Sequence, residues 1–135
     1  MPGKSVLVVD DEDAYLTVMR DILSSYGLRV TVAHDAAQAL RLMEFEPPSL
    51  FIVDVMMPDV DGLQLIRSIR NNPQWARIPV IVASARAMPE EREEAFASGA
   101  TAFIAKPFTA KELRSAIRPH VSIPPTAELK RQRRV

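Results

Sequence analysis

The chain has no cysteine among its 135 residues. That excludes a disulfide framework and a thiolate metal centre, and it fits a reducing compartment. Long apolar runs are missing too. None approaches the roughly 18 residues of a membrane-crossing helix. Met1-Pro2-Gly3-Lys4 leads straight into a short apolar run with no signal-peptide pattern. The expected location is cytoplasmic, without membrane contact. Net charge is absent, since 17 basic and 17 acidic residues cancel. The balance is uneven along the chain. Residues 126–135 carry Lys130, Arg131, Arg133 and Arg134 against Glu128, a net +3, and the remaining chain carries 13 basic and 16 acidic groups. This basic tail reads as a disordered end, a linker stub or a phosphate-binding patch. No helix-turn-helix pattern or interleaved aromatics accompany it, so direct nucleic-acid binding is not expected. Gly3-Lys4-Ser5 has the look of a phosphate-loop ending, but it lacks the earlier glycine and precedes a strand instead of following one.

What is present is a hydrophobic fraction of 47%, enough for one globular core. Four short apolar runs each stop at a polar residue. Ser5 to Val9 runs into Asp10-Asp11, Leu50 to Val53 into Asp54, Pro79 to Ala83 into Ser84, and Thr101 to Ala105 into Lys106. A fifth run, Leu28 to Ala33, lies between the first two. Such runs, alternating with helical patterns, predict parallel strands of an α/β sheet. Sites in these sheets form outside the carboxyl ends of the strands. Three carboxylates, a hydroxyl and an ammonium are therefore expected in one crevice.

The helices follow from periodicity and caps. Tyr15, Val18, Met19, Ile22, Leu23 and Tyr26 give the first an apolar stripe, which Gly27 ends. Asp35 with Gln38, Asp61 with Gln64, and Thr109 with Glu112 are N-terminal capping pairs. The second helix runs to about Glu44. Leu63, Ile66 and Ile69 form the inner face of the third, which Asn71-Asn72-Pro73 breaks. Pro89 opens the fourth and Gly99 closes it, while Leu113 and Ile117 face inward on the fifth. The acidic run Glu90 to Glu94 reads as a solvated face, Trp75 as a packing residue, and His34 and His120 as solvent-facing.

Three carboxylates in one crevice repel, and a hard divalent cation with oxygen ligands relieves this. Mg2+ also suits phosphoryl chemistry, in which a carboxylate can be the nucleophile. Lys106 then offers a point charge and Ser84 a hydrogen bond to phosphoryl oxygens. No residue reads as a strong general base.

The acidic pair Asp10-Asp11, the segment from Asp54 to Gly62, Ser84-Ala85 and Lys106-Pro107-Phe108 together resemble the receiver domain of bacterial two-component response regulators. The resemblance covers roughly residues 4 to 120. It implies a flavodoxin-like (βα)5 fold, with a five-stranded parallel sheet in the order 2-1-3-4-5 and helices on both faces. Residues 1–121 would be the receiver and 122–135 a tail or linker. Asp54 would be the phosphoacceptor. Asp11, Asp54 and the backbone carbonyl of Met56 would be direct Mg2+ ligands, with Asp10 acting through metal-bound water. Lys106 and Ser84 would hold the phosphoryl group, and Lys106-Pro107 would be the family's cis peptide. Ser84 and Phe103 would be the switch, read on the face of the fourth helix, fifth strand and fifth helix. A plain core role for Phe103 stays open. Met56 and Arg86 would flank the path of an attacking water and lengthen the phosphoryl lifetime. The implied partners are a histidine kinase or phosphotransfer protein and a downstream effector or detached output domain, with a possible dimer through the switch face.

Two rival functions remain on the page. Asp11-Glu12-Asp13 superficially matches the acidic motif of haloacid-dehalogenase-type phosphatases, although no second acidic pair follows Lys106. A pseudo-receiver, acting only as an interaction module, is the other.

Overall fold

A computed structural model describes residues 4–55 and 62–123. Ten elements alternate strictly along the chain. They are β1 (Ser5–Val9), α1 (Asp13–Ser25), β2 (Arg29–Ala33), α2 (Ala36–Phe45), β3 (Leu50–Val53), α3 (Gly62–Asn71), β4 (Val80–Ser84), α4 (Pro89–Ser98), β5 (Ala102–Ala105) and α5 (Ala110–Ile117). The five strands form one parallel sheet in the order β2-β1-β3-β4-β5, as expected.

Alternation along the strands divides the apolar side chains between two faces. Leu7, Val9, Phe51, Val53, Val80 and Val82 pack with α2, α3 and α4. Val6, Val8, Leu50, Ile52, Ile81 and Ala83 pack with α1 and α5. Covering both faces explains why these strands read as unbroken hydrophobic runs. Trp75 is buried in the first of these cores, in keeping with a packing role.

The caps agree with the sequence in the main. The Asp35 carboxylate accepts from the Gln38 backbone N–H at 2.8 Å. The Gln38 side chain reaches past the cap residue to accept from the His34 N–H instead. Thr109 and Glu112 make the full reciprocal box at 3.0 and 2.8 Å. Gly99 closes α4 with φ of +118°, in the left-handed region where glycine carries no Cβ penalty. Asp61 lies outside the described residues.

Two apolar stripes need adjustment. On α1 the buried residues are Leu16, Met19 and Leu23, while Val18 is half exposed. The helix is rotated so that Tyr15, Val18 and Ile22 form its flank, bordering a surface groove along Lys106, Pro107 and Phe108. On α3, Leu65 joins Ile66 and Ile69 in the core, and Leu63 is only partly buried.

The sheet levels its strand ends. Val9 pairs with Val53, and Ser84 pairs with Ala105. The residues that follow these positions emerge along one rim.

Candidate functional site

Backbone bonds carry the sheet one step past its last paired residues. The Asp10 N–H donates to Ala33 and the Asp54 N–H to Val9, both at 3.0 Å, and the Lys106 N–H donates to Ser84 at 2.8 Å. The side chains of Asp10, Asp54 and Lys106 are thus launched from fixed backbone. Asp10 and Ser84 are almost completely buried and Asp54 is 9% exposed, whereas Asp11 is exposed at the rim.

The carboxylates of Asp10, Asp11 and Asp54 each present an oxygen within 4.8 Å of the others. An all-oxygen set of this size fits a hard divalent cation such as Mg2+. Lys106 neutralises part of this charge. Its Nζ donates to Asp10 Oδ2 at 2.7 Å and to Asp54 Oδ2 at 3.3 Å. Asp10 also accepts from the Glu12 N–H at 2.9 Å, which fixes the carboxylate from the opposite side. The sequence placed Lys106 with the acceptor. The shorter bond runs to Asp10, three strands away, because the long lysine side chain crosses the rim.

The Ser84 hydroxyl accepts from the Arg86 N–H at 3.1 Å. The Arg86 guanidinium is exposed and lies 3.6 Å from Glu91 on α4. Phe103 is half buried against the core, with the Arg92 guanidinium 4.9 Å from its ring centroid. Met56 lies outside the described residues. The Lys106–Pro107 peptide is cis.

Sequence reasoning passed over two residues of this site. Tyr15 presents its ring to the Lys106 ammonium, 3.8 Å from Nζ to the centroid. Burial first, then the negative charge of Asp10 and Asp54, pushes its phenol well above the ordinary range. Gly62 starts α3 directly against the backbone of Asp54 and Val55. A Cβ there would stand 2.5 Å from Val55 Cα and 2.7 Å from the Asp54 carbonyl oxygen. The sequence shows Tyr15 only as one position of the first helix's apolar stripe and Gly62 only as the end of the family segment, and neither reading places it in the site.

The rim can be compared with known proteins. A family model described as the response regulator receiver domain matches residues 6–118. The chain belongs to the response regulator receiver family. Among relatives of this receiver domain, an uncharacterized 14.6 kDa protein from Leptolyngbya boryana is 37% identical over 123 residues, covering 90% of this chain and 94% of its own length. The KDP operon transcriptional regulatory protein KdpE of Escherichia coli is also 37% identical, over 84% of this chain but 49% of its own length. The receiver thus spans nearly all of one relative and about half of the other. The chemotaxis protein CheY4 of Vibrio cholerae superimposes with a TM-score of 0.84 at 27% identity, covering 88% of this chain and 99% of CheY4. The receiver domain of the sensor histidine kinase PA1611 from Pseudomonas aeruginosa has a TM-score of 0.80 at 32% identity, covering 87% and 97%. That structure has a magnesium ion coordinated in its active-site cleft.

Proposed function

We propose that this receiver is a phosphorylation-activated switch whose acceptor is Asp54. One observation carries the reading: the Asp10, Asp11 and Asp54 carboxylates converge within 4.8 Å at a rim where Lys106 already bonds two of them.

Asp11, Asp54 and the Met56 carbonyl would hold Mg2+ directly, with Asp10 through bound water. The ion supplies neutralisation of charge on the transferring phosphoryl group. An Asp54 carboxylate oxygen attacks phosphorus in line. The new O–P bond forms as the P–N bond of a donor phosphohistidine breaks, and its electron pair returns to the imidazole. No proton leaves Asp54, so no general base is needed. Lys106 moves from the Asp54 oxygen to a phosphoryl oxygen. Ser84 exchanges its Arg86 N–H contact for a phosphoryl oxygen, and Phe103 turns into the space vacated. The signal is then read on the α4–β5–α5 face, where a partner or second copy docks.

The donor is a histidine kinase or phosphotransfer protein, and the readout is an effector or an output domain. The setting is cytoplasmic. Among the described residues no helix is long and apolar enough to cross a membrane. The receiver unit is residues 1–121, followed by a basic tail. Met56 and Arg86 lengthen the lifetime of the acyl phosphate, so Met56→Asn with Arg86→Glu shortens it.

The phosphatase alternative loses its second acid. Asp13 Oδ1 sits 2.6 Å from His34 Nε2 and does not join the carboxylate cluster. The decisive experiment is intact-mass spectrometry after incubation with acetyl phosphate and Mg2+. One phosphoryl group should be gained, and none in Asp54→Ala or in EDTA. Labelling that survives Asp54→Ala places the acceptor elsewhere, and none in folded wild type favours a pseudo-receiver.

A further inference from the structure

Tyr15 meets the crevice in a way that the chemistry above does not use. Its ring packs against the Lys106 ammonium on one side. Phe108 meets it edge-on, with centroids 6.4 Å apart and planes at 82°. The ring is therefore wedged between α1 and the β5–α5 connection. Its hydroxyl oxygen is buried and has no hydrogen-bond partner among the described residues. A buried orphan hydroxyl is a cost to folding, so the contact that this side chain contributes is made by the ring.

Lys106 needs such a contact. A lysine is a point charge on a flexible four-carbon stem. Its two anionic partners are unequal, at 2.7 Å from Asp10 and 3.3 Å from Asp54. Before transfer the shorter bond holds the ammonium to Asp10, the carboxylate that is not the proposed acceptor, and a further contact is needed to keep it within reach of an incoming phosphoryl group. An aromatic face attracts a cation through its quadrupole whatever the state of the neighbouring acid. At 3.8 Å from the Tyr15 centroid the ammonium has a third contact besides the two carboxylates.

We propose that Tyr15 is a positioning residue for phosphoryl transfer, its ring face holding the Lys106 ammonium where it can meet the phosphoryl group. This rests on the reading of Asp54 as acceptor and Lys106 as its phosphoryl-binding partner. The test is the labelling rate with acetyl phosphate and Mg2+ in wild type, Tyr15→Leu, Tyr15→Phe, Lys106→Met and the Tyr15→Leu/Lys106→Met double variant. Tyr15→Leu should slow labelling about tenfold, and Tyr15→Phe, which keeps the face, should restore it. Mg2+ affinity, read by titration calorimetry, should be unchanged in Tyr15→Leu, since no carboxylate is touched. With Lys106 already removed, Tyr15→Leu should change nothing further, because the two residues act as one unit. A full additive loss in the double variant overturns the proposal. So does a Tyr15→Phe rate as slow as that of Tyr15→Leu, or a wild-type rate in Tyr15→Leu. Absence of labelling in wild type is a separate result: it removes the acceptor reading, and this inference with it.

Discussion

Lys106 and Arg70 are both cations drawn into the fold, at opposite ends of the sheet, and they are satisfied in opposite ways. Arg70, at the end of α3, donates to the carbonyls of Gly99, Ala76 and Ile78 at 2.8, 3.0 and 2.7 Å, and to Thr101 Oγ1 at 3.2 Å. Thr101 Oγ1 in turn accepts from the Val80 N–H at 3.0 Å. The guanidinium fork is thus filled by neutral acceptors that join α3, the loop before β4, the end of α4 and the start of β5. Lys106 instead bonds two carboxylates of the cluster that would hold a metal ion, and rests on a ring whose hydroxyl has no partner among the described residues. Backbone carbonyls cannot change partners without unfolding, whereas carboxylates can trade an ammonium for another cation. The amino end of the sheet is built to stay, and the carboxyl end is built to exchange.

The contrast can be broken most readily at Arg70. Arg70→Ala should lower stability by about 3 kcal/mol, since it strips charged hydrogen bonds from three carbonyls at once. Guanidinium titration should give the same loss with and without Mg2+. A cost that varies with Mg2+ would mean that the two ends are coupled. Gly62→Ala tests the stiffness of the site end. Its Cβ has no room beside Val55 and Asp54, and overpacking of this kind costs about 2 kcal/mol. It should also slow acetyl-phosphate labelling, because the displaced backbone carries Asp54, the proposed acceptor.

Lys106→Met should show the opposite dependence. In EDTA it removes the ammonium that screens two carboxylates from each other and lowers stability. Without the competing ammonium the variant should bind Mg2+ with a lower Kd, and because binding adds about 2.7 kcal/mol at a hundredfold the Kd and grows as the Kd falls, one fixed Mg2+ concentration should restore more stability to it than to wild type. A variant that gains no more from Mg2+ than wild type would show that lysine and metal do not compete. The smallest effect belongs to His34, an exposed cation held by a single acid. The hydrogen bond that its ring donates to Asp13, then that to Gln38, raises its pKa above 6.5. A folded-state value above the unfolded one adds stability that is complete below about pH 6.5 and disappears as pH rises through the folded value. NMR titration should show the raised pKa, and His34→Ala should flatten this segment of the stability profile.

These differences also explain what could be read in advance. The strand ends were legible because both-face burial makes each parallel strand a continuous apolar run with an abrupt polar stop, and the functional residues stand at those stops. Caps such as Thr109 with Glu112 were legible because their partners are local. Arg70 left no trace, since its acceptors are chiefly main-chain carbonyls, which every sequence possesses. Tyr15 read as one more apolar position on α1. Its place beside Lys106 depends on how the helix is rolled, and that roll turned Leu16 inward and Val18 outward. Gly62 could be matched to a family segment, but its need for a bare Cα arises only when α3 meets the Asp54 backbone.

The placing of the strand that ends at Asp54 has a mechanical consequence. β3 is central in the sheet, with every residue buried and neighbours on both sides. A side chain rooted at its tip is mounted on a rigid post. Ser84 ends β4, and Lys106 follows β5, the edge strand, which is paired on one side only. New bulk at Asp54 therefore stands on a strand held from both sides, and of the strands around it β5 has the fewest sheet bonds to oppose a shift.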